Sequence, residues 1–314
     1  MTTGRIGAWP SPDGWSNFLP NIELEEISER DASGPLADIY EDIRQTLRVT
    51  QVSLIYRTLA VHEAYFAAAW EALRPNASIT YFERCADSLR MRMAPPLPED
   101  VPDLGEELEE ECGYTKEQIG RINGLLDLYN YSNPKNLILV DALRGAIAGM
   151  KMGGVKPGFD EDLEPLPRGP HLSMIRPDLL DPSGAEGGAA EIFGRIRRET
   201  GIESVPSIWR ALARFPEFAA RAWDFIREEQ KKKGFEITVS LSQGAAGAAA
   251  QEFPHPVELS RERALELGLS GEEIDLIERK LDHFIHLIPQ TNVAILLMKA
   301  AVAGEGKVRR KPFE

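Results

Sequence analysis

Two long segments of this chain occur twice, in the same order and at nearly the same spacing. Residues 37–73 (ADIYEDIRQT…) match residues 190–226 (AEIFGRIRRE…) without a gap, 153 positions apart. Residues 116–149 match residues 271–304 at a spacing of 155. Two ordered blocks indicate an internal duplication, because chance similarity between amphipathic helices would give one block at most. The chain is therefore expected to fold as two copies of one unit, packed face to face about a pseudo-twofold axis.

Both copies carry the apolar spacing that is typical of α-helices. In the first copy, Ile39 and Ile43 begin a series that recurs at three- and four-residue intervals. Thr115 and Ser270 precede charged first turns, as helix N-caps do. No segment has a convincing strand pattern, and residues 235–241 are interpreted as the beginning of a helix. The predicted fold class is all-α, with the duplicated unit forming an intramolecular pseudo-dimer.

A stretch rich in proline and glycine separates the two copies and is typical of an extended linker. The predicted organisation is an N-terminal arm (1–35), a first helical repeat (36–150), a linker (151–188), a second helical repeat (189–306) and a basic tail (307–314). Pro134 and Pro289 fall inside apolar runs of the two repeats. Each proline is predicted to kink or break its helix, and matching breaks beside the seam indicate where a pocket would form.

Charge and composition narrow the classes of partner. The net charge is −14 and the isoelectric point is about 5.0, which argues against a nucleic-acid surface. Cys85 and Cys112 are far apart and form neither a disulfide framework nor a CxxC pair. The first residues lack an apolar signal core, and no apolar run reaches the ~20 residues that span a bilayer. We expect a cytoplasmic protein with a small-molecule ligand and no membrane partner, and a homodimer stays open.

Three stretches together resemble a known family: YEDIRQTLRV (40–49), YNYSNPKNLIL (129–139) and SIWRALARFPEF (207–218). They are similar to the group I 2-haloacid dehalogenases, the DehI-like proteins, over roughly residues 36–303. The resemblance implies an all-helical pseudo-dimer with one active site between the halves. It also implies hydrolysis in which an aspartate activates a water that attacks the halogen-bearing carbon directly, without a covalent ester.

The resemblance assigns the two main catalytic positions. The family asparagine that helps to hold the water corresponds to Asn133. The family aspartate belongs to a Ser-Asp-aromatic stretch that here reads Ser207-Ile208-Trp209, so Ile208 stands at its place. An isoleucine cannot accept a proton, and a positioned general base contributes ~10²–10⁴-fold to rate. Glu203 is the nearest carboxylate upstream that could substitute.

Further candidates come from the residues that flank these positions. His283 and His286 are three apart on a probable helix, a spacing that metal ligands can have, but no ligand cluster accompanies them, so no metal and no cofactor are predicted. His286 corresponds to Tyr131 across the repeat and is the candidate for an additional acid or base in the seam. The predicted catalytic pair is Asn133 and His286. The predicted substrate contacts are Gln51, Leu54, Tyr129, Tyr131, Ser207, Ile208 and Arg210.

Residues that occur in both copies are better explained by the fold than by a single site. Arg57 and Arg210 match each other, as do Asp127 and Asp282, and we expect ion pairs or caps there. Arg210 could still reach a substrate carboxylate.

Three functions remain open from the sequence. The first is a hydrolase-like enzyme on a small carboxylate, with an altered pocket. The second is a protein that binds a small apolar or carboxylate ligand in the seam without catalysis. The third is another reaction, such as cyclisation or isomerisation, with Asn133, Tyr131 and His286 supplying the polar groups. The apolar Ile208 favours the second and third over strict dehalogenation.

Overall fold

The computed structural model describes residues 22, 24–202 and 204–313, and α-helices dominate this part of the chain. In chain order they are α1 (Gly34–Leu47), α2 (Leu54–Leu59), α3 (Glu63–Ala77), α4 (Thr80–Arg92), α5 (Leu104–Glu110), α6 (Lys116–Ile147), α7 (Gly187–Thr200), α8 (Ser207–Leu212), α9 (Pro216–Glu229), α10 (Lys233–Gln251), α11 (Arg261–Glu266) and α12 (Gly271–Ala303). Among the described residues no β-strand forms, and an isolated bridge joins Ile79 to Pro165. The all-α prediction is confirmed, and residues 235–241 lie in α10.

The helices of the two halves follow the same order, and the first two pairs have equal lengths. Helices α1 and α7 both have 14 residues, and α2 and α8 both have six. Each of these pairs begins 153 positions apart. Helices α6 and α12 both begin with a capping box, formed by Thr115 with Gln118 and by Ser270 with Glu273. This agreement is what an internal duplication predicts, and the common origin of the halves stays a prediction.

Helices α6 and α12 form the centre of the molecule and run antiparallel. Arg144 Nε of α6 donates to Asp282 of α12 at 2.7 Å, and Lys299 Nζ of α12 binds Asp127 of α6. Asp282 lies 155 positions after Asp127, and Lys299 lies 155 positions after Arg144. Each ion pair is therefore the counterpart of the other, as expected for contacts across a two-fold axis. The aspartates that occur in both copies are therefore interhelical ion-pair partners. Arg57 also forms an ion pair, with Glu26 at 3.1 Å.

Each internal proline was predicted to kink or break its helix, and the predicted break is wrong in both cases. Pro134 and Pro289 lie inside α6 and α12, which continue for 32 and 33 residues. A proline inside a helix leaves the carbonyl four residues earlier without its usual donor. Gln243 Nε2 of α10 donates to the carbonyl that Pro289 frees, Ile285 O, at 3.1 Å. A side chain from a neighbouring helix thus replaces the missing backbone hydrogen bond.

The linker between the halves is irregular, but it is held in place. Leu166 N donates to Ser78 O at 2.8 Å and Gly169 N donates to Gln45 O at 2.8 Å, both in the first half. Val155 N donates to Phe253 O, in the second half, at 3.1 Å. The linker is therefore fastened to both halves rather than free between them.

The end of the linker and the N-terminal arm make equivalent contacts. Ile27 N donates to Arg57 O at 3.1 Å, and Leu180 N donates to Arg210 O at 3.2 Å. Both donors and both acceptors are 153 positions apart. The correspondence between the halves thus begins upstream of the predicted repeat boundaries at residues 36 and 189, because the arm and the last part of the linker pack in the same way.

The basic tail packs onto the molecule instead of extending as an arm. Val308 is buried, and the Phe313 ring lies 5.7 Å from the Tyr131 ring and 5.9 Å from that of His171. Lys311 Nζ binds Asp87 at 2.8 Å. The tail therefore covers the outer side of α6.

Of the helices that the structure describes, α12 has the length and apolar composition of a membrane span. In the most apolar window of α12, 78% of the residues are buried inside the protein. Its apolar character accompanies its central position in the core.

Candidate functional site

The middle of α6 and of α12 meets α2 and α8 around a cavity at the seam between the halves. The space open to water-sized groups is about 60 Å³. The lining residues are Gln51, Ser53, Leu54, Ile55, Tyr129, Asn133, Asn136, Pro206, Ser207, Ile208, Phe284, Leu287, Ile288 and Thr291. We call this space the seam cavity.

Helix periodicity explains which side chains line the seam cavity. Tyr129, Asn133 and Asn136 are four and three residues apart on α6, so an unbroken helix presents them on one face. On α12, Phe284 and Thr291 bracket the corresponding face. The two long helices therefore supply opposite walls, and the short helices α2 and α8 complete them.

The two walls differ in polarity. The first half contributes hydroxyl and amide groups from Ser53, Tyr129 and Asn133, among others. The second half contributes mainly apolar groups, including Phe284 and Ile288, the residues that correspond to Tyr129 and Asn133. A ligand in this space would meet hydrogen-bonding groups on one side and hydrocarbon on the other.

The hydrogen bonds around Asn136 hold part of the polar wall in a fixed arrangement. Asn136 Nδ2 donates to Ser53 Oγ at 2.7 Å, and Tyr56 Oη donates to Asn136 Oδ1 at 3.1 Å. By contrast, Asn133 Nδ2 and Thr291 Oγ1 are buried without a hydrogen-bond partner among the described residues. Buried polar atoms are normally paired, so these two are available to a ligand or to ordered water.

Tyr129 is a neutral hydroxyl in this wall. Burial raises the pKa of Tyr129 to about 12, and Gln51, Arg57 and Arg210 act in the opposite direction. The phenol therefore keeps its proton near neutral pH. It can donate a hydrogen bond but does not serve as a base.

Ile208 lies in the cavity wall with 1% of its surface exposed. No carboxylate is present among the lining residues of the seam cavity in the described part of the chain. Glu203, the alternative base considered from the sequence, lies outside the described residues. The polar groups that share the cavity with Ile208 are therefore hydroxyls and amides, such as those of Ser207 and Asn133.

The structure brings six of the nine predicted site residues together. Gln51, Leu54, Tyr129, Asn133, Ser207 and Ile208 all line the seam cavity. The polar lining residues that were not predicted from the sequence are Ser53, Asn136 and Thr291. The spacing of Asn136 from Tyr129 and Asn133 would have revealed it, had the helix been predicted to continue through Pro134.

The other three predicted site residues are not among those that line the seam cavity. Lys135 Nζ lies 3.7 Å from the centre of the Tyr131 ring, and Tyr131 is away from the seam cavity because it is two positions, about 200°, from Tyr129. His286 Nδ1 donates to Asp282 O at 2.7 Å on its own helix. Arg210 Nε donates to Leu180 O at 2.9 Å and so fastens the linker.

His283 is buried, and neither ring nitrogen has a hydrogen-bond partner among the described residues. Burial, with a smaller contribution from His286, lowers the pKa of His283 to about 4. The ring is therefore neutral near pH 7 and packs edge-on against Phe284 at 5.4 Å. Within the described residues, no group of three or more His, Cys, Asp or Glu side chains converges as metal ligands would.

Comparisons with known proteins agree with this architecture. The profile of a family described as halocarboxylic acid dehydrogenase DehI matches residues 50–186. A configuration-inverting 2-haloacid dehalogenase from Pseudomonas sp. (strain 113) is 30% identical over 300 residues, which are 92% of this chain and 96% of the relative. A second, from Alcaligenes xylosoxydans xylosoxydans, is 31% identical over 300 residues, with 92% of this chain and 97% of the relative covered.

Solved structures of the same kind share the fold. The complex of a D-2-haloacid dehalogenase mutant with D-2-CPA superposes with a TM-score of 0.82 at 25% identity, covering 90% of this chain and 98% of that one. The complex of a D-2-haloacid dehalogenase with L-LA also gives 0.82, at 24% identity, covering 90% and 99%. The chain belongs to the DehI family of 2-haloacid dehalogenases.

Proposed function

We propose that this chain binds a small carboxylic acid in the seam cavity and lacks the haloacid hydrolysis of its relatives, because Ile208 stands where the family aspartate would activate water. The observation that carries the proposal is the wall around Ile208. Within the described residues, that wall contains no carboxylate. Hydrolysis by direct attack of water needs a base within hydrogen-bond reach of the water.

The polarity of the two walls supports a carboxylic acid as the ligand. Asn133 Nδ2 is a buried donor without a protein partner among the described residues, and the neutral Tyr129 hydroxyl lies on the same helix face. Phe284 and Ile288 form an apolar surface on the other side for an alkyl substituent. Most small-molecule sites combine an apolar pocket with a few placed polar groups in this way.

The volume supports a ligand of only a few non-hydrogen atoms. A water needs ~10–15 Å³ of this kind of space, so the 60 Å³ available hold roughly four to six groups of that size. Acids with two or three carbons, such as propionate and its 2-substituted derivatives, are of the right size. Relatives of this chain are named 2-haloacid dehalogenases, a name that denotes acids substituted at carbon 2.

The test is halide release from both enantiomers of 2-chloropropionate. We expect the wild type to remain near background and Ile208→Asp to gain at least ~10²-fold, the contribution typical of a positioned base. Ile208→Asn fills the same space without a base and should gain nothing. Ile55→Asp is the matched control, because Ile55 lines the cavity at the equivalent place in the first half.

Folding of each variant is checked by circular dichroism, since a buried aspartate without a partner destabilises a protein. Strong halide release by the wild type would show that another base serves. A folded Ile208→Asp protein without activity would contradict the assignment of the lost activity to this residue. Calorimetry with propionate tests the binding part separately, and no detectable binding would exclude a carboxylate site.

A further inference from the structure

A groove lies on the surface between the first half of α6, the end of α8 and the last part of the linker. Its volume is about 430 Å³. The residues that line it are Glu117, Gln118, Arg121, Leu125, Ile175, Arg176, Asp178, Ala211, Arg214 and Phe215. We call it the α6–α8 groove, and residues 175–180 the linker strap.

The groove and the seam cavity adjoin along two helices. Leu125 of the groove lies four residues before Tyr129 of the cavity on α6. Ala211 of the groove lies three residues after Ile208 of the cavity on α8. Residues three or four apart on one helix are neighbours about 5–6 Å apart. The two spaces therefore share walls on both sides, with Tyr129 and Ile208 at the inner end of the groove.

The linker strap crosses the seam over this groove and is fixed at both ends. Thr50 Oγ1, in the segment that leads into α2, donates to Ile175 O at 2.6 Å. At the other end, Leu180 N donates to Arg210 O at 3.2 Å, and Arg210 Nε donates to Leu180 O at 2.9 Å. Ile175 also fits closely over α6, since a Cβ added at Gly124 would lie 3.2 Å from its side chain. The linker strap thus covers the α6–α8 groove on its outer side.

The equivalent place on the other side of the pseudo-twofold axis is closed. Lys280 corresponds to Leu125 and Thr58 corresponds to Ala211. Lys280 Nζ donates to Thr58 O at 3.2 Å, so a hydrogen bond joins the two positions that the groove separates. Lys280 and Thr58 are both buried. The seam is therefore open on one side and shut on the other.

The charges of the groove favour an anion at its mouth. Arg214 pairs with Asp178 at 2.7 Å, and Arg176 lies 3.6 Å from Glu29. Arg121 is exposed and makes no ion pair with any residue that the structure describes. The lining holds three arginines against two carboxylates, Glu117 and Asp178, and this local excess of positive charge contrasts with the −14 of the whole chain.

We propose that the α6–α8 groove is the route by which a small anion reaches the seam cavity, with Arg121 as the cation that attracts it. The choice of a carboxylate as that anion rests on the proposed function. The route itself does not rest on the proposed function. It follows from the helices that the groove and the cavity share and from the closure of the equivalent place by Lys280 and Thr58.

Labelling of a cysteine in the cavity tests the route without any bound acid. In a Cys85→Ser, Cys112→Ser background, Ser207→Cys places a thiol in the cavity wall. The probes are anionic 2-sulfonatoethyl and cationic 2-aminoethyl methanethiosulfonate, and the labelling rate is measured by mass spectrometry. Arg121→Trp should slow both reagents at least about fivefold by obstructing the mouth. Leu276→Trp, the equivalent substitution on the closed side, should leave both rates unchanged.

The charge is tested with Arg121→Glu, which should lower the ratio of anionic to cationic labelling by about tenfold at low salt. Arg279→Glu changes the net charge equally on the closed side and should leave this ratio unchanged. Unimpeded labelling of the Arg121→Trp protein, or equal slowing by Leu276→Trp, would overturn the route. Because labelling needs no carboxylate binding, the route can hold even if calorimetry detects no propionate, and it can fail while propionate binds.

Discussion

The two halves of this protein contribute helices in the same order to the seam cavity, but with different side chains. Asn133 and Tyr129 in the first half face a space whose other wall has Ile288 and Phe284 at the corresponding positions. The helices that carry them begin with the same capping box and contain a proline at the same place. Because these helix features match, the difference in polarity between the two walls lies in the side chains at corresponding positions. A cavity with one polar and one apolar wall orients a ligand that has a polar and an apolar end.

The largest expected difference between the halves concerns the two ion pairs between α6 and α12. The Lys299 side chain is 7% exposed and that of Arg144 is 30% exposed. We expect Lys299→Met to lower the free energy of unfolding by about 2–3 kcal/mol, because it leaves the mostly buried Asp127 without its partner. Arg144→Met should lower it by less than about 1 kcal/mol. Urea denaturation of both variants measures the difference, and equal losses would mean that burial does not distinguish the pairs.

The second prediction concerns a substitution that makes the polar wall of the seam cavity resemble the apolar one. Asn133→Ile places at this position the residue that its counterpart, Ile288, already has. Loss of a hydrogen bond to a charged ligand corresponds to about 1.5–3 kcal/mol, so affinity for 2-chloropropionate should fall about 10- to 100-fold. Calorimetry measures the change, with Ile288→Val as the control that keeps the apolar wall apolar. An unchanged affinity would place the carboxylate elsewhere.

The third prediction concerns Asp141, a partly buried acid of α6 that corresponds to Leu296 in the second half. Burial, with a smaller contribution from Asp282, raises the pKa of Asp141 from 3.8 to about 7. Asp141 therefore binds its proton more tightly in the folded state than in the unfolded state. Its contribution to the free energy of unfolding is fully present below pH 4 and is lost as the pH rises through 7. Asp141→Leu should remove that loss and raise the free energy of unfolding at pH 7.5 by about 1–2 kcal/mol.

Denaturation at pH 4 and at pH 7.5 measures this effect, and the gain should be small or absent at the lower pH. Asp38→Leu, at an exposed position of α1, is the control and should show no such pH dependence. A gain of equal size at both pH values would indicate that packing, rather than ionisation, is responsible.

Most of the fold could be predicted from the sequence because the patterns that indicate helices are short-range and occur in both repeats. The spacing of apolar residues and the N-caps Thr115 and Ser270 predicted the helices that the structure contains. The prolines led to a wrong prediction of helix breaks. At Pro289 the lost backbone hydrogen bond is replaced by one from Gln243, a residue more than 40 positions away that no local pattern reveals. The same error concealed Asn136, whose place on the α6 face is evident only if the helix continues.

The candidate site was harder to predict because a family pattern identifies residues but does not say which way they face. Tyr131 and His286 belong to the same short stretches as the cavity residues, yet both point away from the seam cavity along their helices. Arg210 is close to Ile208 in sequence, but its guanidinium binds the carbonyl of Leu180. The contact of Arg210 depends on how the linker packs, which composition does not determine.

The fastened linker has a consequence for how this chain could be divided. Phe159 is 65% exposed, at the beginning of a short 3₁₀ turn (Asp160–Leu163), while the chain before and after it is hydrogen-bonded to the helices. A cut beside Phe159 would therefore sever the covalent connection without removing the contacts that hold the halves together. We expect two separately expressed fragments, ending and beginning there, to assemble into one folded particle. Each half could then be exchanged, labelled or randomised on its own, and ligand binding in the seam cavity could be compared between combinations of halves.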